Sequence, residues 1–501
     1  MELKTLVWIG FILFMAVMFG IGYIASKKTK TMSDFAIASS GLGPVVLGLS
    51  FSATALSAAT FMGYPAYSYT WGFSNLWIML AIIIGASSGV LIVAKRAKKI
   101  NTKQKSLSLS DWLGDFYNSD IIRVGTAIIM LFNIFYIASQ FAAGARVVQY
   151  FLDLPYVTGL IIIAVVVMAY VFFGGTIADI YTDAVQAVLM CIAGVVVFIS
   201  GIIIFGQGNI TTAFSNISVN LQNQNQQLVE TFNTQSPYFY SLSAVLGIFV
   251  IQAGVASSPQ LFNKVLALKN EKDLGKMLLV FFITTLLSVV VIFGGLYARV
   301  ALPELETTDF ALIAYIEFAF PIIASAFLAI VILAAVMSTT DGLFVVLSTV
   351  FANDIFLKFF VKKGIVKVDD KKANKIAMWI SRWAVILVGL IAMIIVFNPP
   401  EHLADILWIG VSGVSAGSLG PIIYAVYGKK TGKAITRLAE VSMVVGLLSY
   451  LILYFGGIER SVMASGGYAT LIGVATIWIG SFLVKSTPEV ADEGNYSETV
   501  K

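Results

Sequence analysis

Runs of about twenty apolar residues recur from one end of this chain to the other. A run of that length crosses the hydrocarbon core of a bilayer as an α-helix, with its backbone groups satisfied inside the segment. Of the 501 residues, 58% are hydrophobic and 12% charged, where an ordinary soluble domain is about a quarter charged. A soluble core of this size would split into domains with polar surfaces, and the sequence shows none. The chain therefore reads as an all-α polytopic membrane protein.

Thirteen spans are expected, at Leu6–Ser26, Gly43–Tyr67, Trp71–Ala94, Ile121–Val148, Val157–Phe173, Asp183–Phe205, Tyr238–Phe262, Met277–Tyr297, Pro321–Val346, Ala377–Phe397, Ile406–Tyr427, Leu438–Tyr454 and Met463–Val484. The first is a retained helix and not a signal peptide. Its charges, Lys27, Lys28 and Lys30, follow the apolar run, and no small-residue cleavage motif does. Leu107–Phe116 mixes apolar and polar residues and is expected as an interfacial helix. Gly206–Pro237, rich in Asn and Gln and free of Lys and Arg, is expected as a long outer loop. Lys and Arg crowd the loops after spans one, three, seven, nine and eleven, which places the N-terminus outside and the C-terminus in the cytoplasm. The acidic tail, 486–501, is expected to be disordered.

The net charge of +5 belongs to those loops, and no long basic tract suited to nucleic acid is present. The single cysteine, Cys191, excludes an intrachain disulfide and a Cys-rich metal site, and the single histidine, His402, reads as a loop or cap residue. One His, one Cys and no His/Asp/Glu cluster argue against a membrane enzyme. No pore-lining repeat marks a channel, and no appended soluble domain marks a sensor. The Asn-x-Ser/Thr sites at Asn209, Asn216 and Asn495 read as chance matches in a prokaryotic inner-membrane protein.

Two spans are poor continuous helices. The second, GLSFSATALSAATFMGYPAYSY, is small and hydroxylated through its middle, with Gly63 and Pro65 beyond; the seventh, GIFVIQAGVASSPQLF, gathers Gly254, Ser257, Ser258 and Pro259. Proline removes a helix hydrogen bond, and carbonyls freed at membrane depth must line a cavity or bind something. The two lie five spans apart, the spacing of two five-helix repeats of inverted topology, and paired interruptions of that kind point to a transporter's midplane site. The ninth span carries Ser338, Thr339, Thr340 and Asp341 in a row. Oxygen ligands at that depth suit a small hard cation.

The sequence resembles the sodium:solute symporter family. The resemblance rests on SATALSAATFMG at Ser52–Gly63, FAAGARVVQ at Phe141–Gln149 and FFGGTIADIYTDAVQ at Phe172–Gln186. It continues in FNKVLALKNEKD at Phe262–Asp273, AAVMSTTD at Ala334–Asp341 and Gly420–Pro421. It implies a LeuT-type 5+5 inverted repeat with one extra helix before it and two after. The divisions are then 1–30 (extra helix), 41–206 (first repeat), 207–237 (extracellular loop), 238–428 (second repeat), 434–485 (two C-terminal helices) and the tail. It also implies a sodium site made by the carbonyls of Ala53, Leu56 and Ala335 and the hydroxyls of Ser338 and Thr339. Back-bonding of these hydroxyls to their own helix is the plainer alternative. Some family members have a second sodium site. Here Asp183 of the TD motif is kept, but Asp341 and Gly342 stand where serines are usual. Asp183 and Asp341 are therefore candidates for a second cation or a proton. Asp341 as a plain acceptor and Asp183 as an N-cap at a cytoplasmic helix start are the structural alternatives.

Substrate is expected between the two broken helices. Candidate wall residues are Ser57 and Thr60, Trp77, Gln140, and Ser257, Ser258 and Gln260. No Lys or Arg is expected at the centre, so an anionic solute would rely on half-helix N-termini. Within the family the pattern is nearest to carriers of small carboxylates: pantothenate, other monocarboxylates or proline. The expected activity is sodium-driven import by alternating access, by a monomeric functional unit in the cell membrane. The alternative is a proton-coupled symporter using Asp183 and Asp341.

Overall fold

The computed structural model describes residues 2–27, 31–38, 41–398 and 402–484, so the expected disordered tail and Asn495 lie outside the described residues. Regular structure among them is helical, with one isolated backbone bridge between Leu42 and Leu268. The chain opens with α1 (Leu3–Ser26), α2 (Met32–Ile37) and α3 (Pro44–Ala55). A π-helical turn, Ala59–Gly63, leads into α4 (Tyr64–Trp71), followed by α5 (Leu76–Leu80), α6 (Ser87–Gln104) and α7 (Leu109–Phe116). Then come α8 (Asp120–Met130), α9 (Asn133–Leu152), the long helical run α10 (Tyr156–Gly206) and α11 (Ile210–Gln224). The second half holds α12 (Leu242–Gly254), α13 (Pro259–Ala267), α14 (Leu274–Val289), α15 (Phe293–Ala301) and α16 (Ala311–Ala319). It ends with α17 (Ile322–Thr349), a π-helical extension Val350–Val361, α18 (Asp370–Ile395), α19 (Leu403–Tyr427), α20 (Lys433–Phe455) and α21 (Val462–Leu483).

Side chains mark several helix starts. Thr31 and Asp34 form a reciprocal capping box at α2, and Ser108, Ser119, Asn209, Ser241, Asp369 and Ser461 each accept from a backbone N–H of the first turn. Asn209 and Asn216, two of the Asn-x-Ser/Thr residues, bond backbone at the α10–α11 corner.

Among the described residues, 11 helical segments are long and apolar enough to cross a membrane, and Pro44–Ala55 and Tyr156–Ala169 are shorter apolar pieces. Ala59–Gln104 is 46 residues long. At about 1.5 Å per residue that exceeds one crossing of a core about 30 Å thick. Gly72 divides it, with φ 66° and an ideal Cβ position 1.9 Å from the Leu228 carbonyl oxygen. The spans α17 and α19 are the most enclosed, whereas α1, α18 and α20 turn most of their side chains outward. Outward apolar residues such as Leu387, Ile394 and Phe482 are what a lipid-facing surface requires.

The basic loops converge on one face. Lys98 donates to the Leu266 carbonyl at 2.6 Å, Arg96 to Val426 at 3.1 Å and Thr436 to Tyr117 at 3.1 Å. Lys358 pairs with Asp111 and Lys363 with Asp120. Loops that follow the third, seventh, ninth and eleventh expected spans are thereby brought together. On the opposite face Asn233 donates to Trp71, Gln224 to Arg299, and Tyr240 to Glu459.

Two local expectations are corrected. The Leu107–Phe116 segment is helical, but α7 is buried against the protein and does not lie half in lipid. Ser108 and Ser110 both donate to Asp354, and Trp112 packs edge-on to Phe262 with ring centroids 5.3 Å apart. Its polar residues serve a protein partner that local patterning does not show. The loop 206–237 contains the 15-residue helix α11, made regular by its Asn209 cap. Between the eighth and ninth expected spans, residues 302–310 run into the nine-residue helix α16, which no expected span covers.

Glycines set the closest helix contacts. A Cβ on Gly89 would lie 2.0 Å from the Ala253 carbonyl oxygen, and one on Gly295 would lie 1.9 Å from that of Pro65; Gly20 faces open space. Because backbone cannot yield as a side-chain tip does, Gly89→Leu and Gly295→Leu should each destabilise by at least about 2 kcal/mol. The expected result is a lower melting temperature in detergent for both, with Gly20→Leu unchanged.

Candidate functional site: a broken helix, an oxygen cage and a buried lysine

The first interruption lies at Leu56 and Ser57. The chain leaves α3 at Leu56 (φ −95°, ψ 79°), so carbonyls of the last α3 turn lose their partners within the helix. Gln140 on α9 accepts from the Ala58 N–H at 3.0 Å, and the Ser57 hydroxyl accepts from the Ala59 N–H at 3.2 Å. These two predicted wall residues thus hold the start of the second half-helix. Thr60 is buried just after it.

The carbonyls of the broken end meet α17. The Ser338 hydroxyl lies 3.0 Å from the Ala53 carbonyl oxygen and 3.1 Å from that of Ala335, while the Thr339 hydroxyl donates to the Thr54 carbonyl at 3.1 Å. Ala53, Leu56, Ala335, Ser338 and Thr339 are all fully buried. The back-bond from Ser338 to its own helix is present, and it coexists with the bond across to α3. The arrangement is a cluster of neutral oxygens between two helices, a donor set that fits a monovalent cation.

The second interruption lies at Val255–Ser258, where Ser258 is extended and Pro259 opens α13. The Ser257 hydroxyl donates to the Gly254 carbonyl at 2.6 Å, and Ser415 of α19 donates to the same carbonyl at 3.2 Å. Between the two breaks is a cavity of about 30 Å³, lined by Thr54, Tyr64, Tyr136, Gln252, Ser258, Gln260, Thr285 and Trp408 among others. Of the expected wall residues, Ser258 and Gln260 line it, and Ser57, Thr60, Gln140, Ser257 and Trp77 do not. The Trp408 Nε1, Thr285 Oγ1 and Gln260 Oε1 atoms are buried in that lining without a hydrogen-bond partner. Trp408 and Thr285 sit on spans whose sequence carries no break, so only their isolated polarity could have singled them out.

Trp77 is placed elsewhere. Its indole N–H donates to the Thr231 carbonyl at 2.9 Å and its ring stacks on Phe232, so it clasps the 206–237 loop.

The expectation of a centre without Lys or Arg is corrected. Lys264 on α13 is buried beside the cavity lining, with its ammonium 3.0 Å from an Asp179 carboxylate oxygen and in contact with Asp183. It also donates to the Ser50 hydroxyl at 2.7 Å and the Thr54 hydroxyl at 2.5 Å. The seventh span ended too early in the sequence reading, at Phe262, so Lys264 read as part of a basic loop. Asp183 is likewise not an N-cap: it lies within α10 and accepts from Ser50, Thr54 and Lys264. Asp341 is buried on α17, beside Gly342, whose ideal Cβ position is 3.4 Å from Asp179 Oδ1 and from Gln260 Cβ.

On the face opposite the basic loops, Tyr67 of α4 and Tyr238 before α12 both donate to Asp405 of α19, each at 2.5 Å. His402 packs edge-on to Tyr67, at 5.8 Å between centroids. Nearby, burial pushes the Asp309 carboxyl up to about 7, against an opposing pull from Arg146.

Two discontinuous helices around a midplane cavity, with an oxygen cluster at one break, define a secondary transporter. The sequence model of the sodium:solute symporter family matches residues 35–446, and the chain belongs to that family. It is 26% identical to the osmoregulated proline transporter OpuE of Bacillus subtilis, over 99% of this chain and 97% of that one. It is 25% identical to the high-affinity proline transporter PutP of the same organism, over 96% and 99%. In structure it is similar to a Na+-coupled sialic acid symporter solved in a substrate-bound outward-open state, with a TM-score of 0.74 at 19% identity over 96% of this chain and 98% of that one.

Asp309 generates a pH prediction. A carboxyl whose native pKa lies above its unfolded value binds more protons in the native state, so its contribution to stability falls as pH rises from about 4 to about 7. Melting temperature measured at pH 5 and pH 7.5 should drop less in Asp309→Asn than in the wild type.

Proposed function

We propose that this chain is a sodium-coupled symporter that imports a small organic carboxylate by alternating access across the prokaryotic plasma membrane. The topology that goes with it is thirteen spans, N-terminus outside and C-terminus inside. Residues 41–206 and 238–428 form the inverted repeats, 1–30 and 434–485 flank them, and a single chain is the working unit. The observation that carries the reading is the junction of Ser338 and Thr339 with the broken end of α3. Sodium held by Ala53, Leu56, Ala335, Ser338 and Thr339 ties α3 to α17, and neutral ligands bind it weakly enough to release it on the other side.

The cavity's polar atoms support the solute class. Trp408 Nε1 and Thr285 Oγ1 can donate to a carboxylate, and the N-terminus of α13 adds backbone donors. Gln260 Oε1 accepts, which suits a solute that also carries an N–H or O–H, such as an imino acid or a hydroxy acid. The names of the two proline transporters agree with that class. A cavity of about 30 Å³ admits water and not such a solute, so binding requires the surrounding halves to part. Substrate and sodium raise each other's affinity by equal factors, because both are bound by the same broken segment. The membrane potential adds about 2.3 kcal/mol per charge per 100 mV.

Uptake of labelled proline, lactate, pyruvate, acetate and pantothenate into proteoliposomes, with inward sodium or proton gradients, tests this. Sodium should drive uptake of at least one of them. Ser338→Ala and Thr339→Ala should each weaken sodium activation by about 10-fold to 100-fold, the value of an oxygen contact to a charge. Trp408→Phe should raise the KM for the solute and leave the sodium dependence unchanged. Uptake driven by protons alone, harmed by Asp341→Asn and not by Ser338→Ala, would move the coupling to Asp183 and Asp341.

A further inference from the structure

We propose that the Lys264 ammonium is a resident cation that fills a second cation position in the core, so that the chain binds one sodium ion and not two. The inference rests on the sodium reading given above.

The position is built as a cation site. Oxygens from two elements surround one point, the Ser50 and Thr54 hydroxyls on α3 and the Asp179 and Asp183 carboxylates on α10, and the Lys264 ammonium reaches into it from α13. All five residues are nine-tenths or more buried. Asp179 and Asp183 are four residues apart in one helix and so present both carboxylates on one side. Ser50 and Thr54 have the same spacing on α3 and both donate to Asp183. Hydroxyls and carboxylates converging on one point would suit a free cation, and here the chain supplies the charge on a tether.

The tether also excludes a competitor. Asp179 Oδ1 and Asp183 Oδ1 have no hydrogen-bond partner, so they are the remaining oxygens on which a second sodium could land. A sodium ion there would be repelled by the ammonium and would meet carboxylates already neutralised in part by it, one net negative charge where removal of the lysine leaves two. Displacing Lys264 instead would leave a buried ammonium unpaired. The serines that would complete a second sodium site on α17 are replaced by Asp341 and Gly342. Gly342, with no side chain of its own, sits where a Cβ would meet Asp179, Gln260 and Thr54.

Thr54 joins the two positions. Its carbonyl accepts from Thr339 at the proposed sodium site, and its hydroxyl accepts from Lys264. The ammonium therefore holds the α3 end whose carbonyls make that site.

Equilibrium binding of radiolabelled sodium to the purified full-length chain counts the sites without need of the organic solute. The wild type should bind one sodium per chain, and Ser338→Ala should remove it. Lys264→Met should bind two, the second displaced by methylammonium, which restores a small ammonium to the vacated oxygens. Two sodium ions on the wild type, or one on folded Lys264→Met, would overturn the proposal. Should Lys264→Met fail to fold, the wild-type count still decides. Absence of saturable sodium binding in the wild type would instead overturn the sodium reading itself.

Discussion

Two residues of non-helical backbone, Leu56 and Ser57, dictate much of what surrounds them. In a hydrocarbon layer an unsatisfied N–H or C=O costs several kcal/mol, so a helix broken at that depth must find partners in its neighbours. The partners come from different places: Gln140 on α9 for the Ala58 N–H, Ser57 for the Ala59 N–H, and Ser338 and Thr339 on α17 for the Ala53 and Thr54 carbonyls. One local departure from helicity thus fixes the mutual position of three elements. It also makes that position conditional, because a hydroxyl bonded to a carbonyl can be exchanged for a cation bonded to both.

The interior is arranged by charge as well as by shape. The oxygen cluster at the break is neutral, whereas one residue further along, Thr54 touches a fully buried group of two carboxylates and an ammonium. Neutral ligands would keep a monovalent ion exchangeable in the proposed reading, and the buried ion group supplies fixed charge beside them. The two needs conflict in a single site, and the chain separates them by the length of one residue, using the carbonyl of Thr54 for one and its hydroxyl for the other.

Features set by local chemistry were legible in the sequence. Pro259 marked the second break at its true place, since proline at the first position of α13 needs no partner for an N–H it lacks. Gly63 and Pro65 marked the first break less well, because Pro65 sits in the first turn of α4, beyond the opened residues. Ser338 and Thr339 stood out by polarity in an apolar run, and the basic loops announced their common face. What escaped depends on contacts far away in sequence. Lys264 reads as a loop lysine until Asp179 and Asp183, some 81 residues earlier for the latter, are brought beside it. Polar α7 reads as interfacial until Asp354 is placed against Ser108 and Ser110. Trp77 reads as a wall of the cavity until the 206–237 loop folds over it.

Closure at both faces explains why the cavity is small. On one side, Tyr67 of α4 and Tyr238, just before α12, both donate to Asp405 of α19. On the other, Leu42 accepts from the Lys269 N–H at 3.1 Å, joining the chain before α3 to the chain after α13, and Lys98 holds Leu266. The two sets of bonds share no residue, which is what the proposed alternating access requires. Segments that belong to or flank the two broken helices take part in both sets, with the oxygen cluster and the cavity between them. A ligand acts on such a device only through its different affinity for the two open forms. In the proposed reading, an ion that replaced the Ser338 bond to Ala53 would change the geometry of the α3 end, and that end is shared by the cavity wall and the Lys264 group. The proposed coupling of ion to solute then needs no long pathway, because each ligand favours the same placement of the same few residues, Ala53 to Ala58.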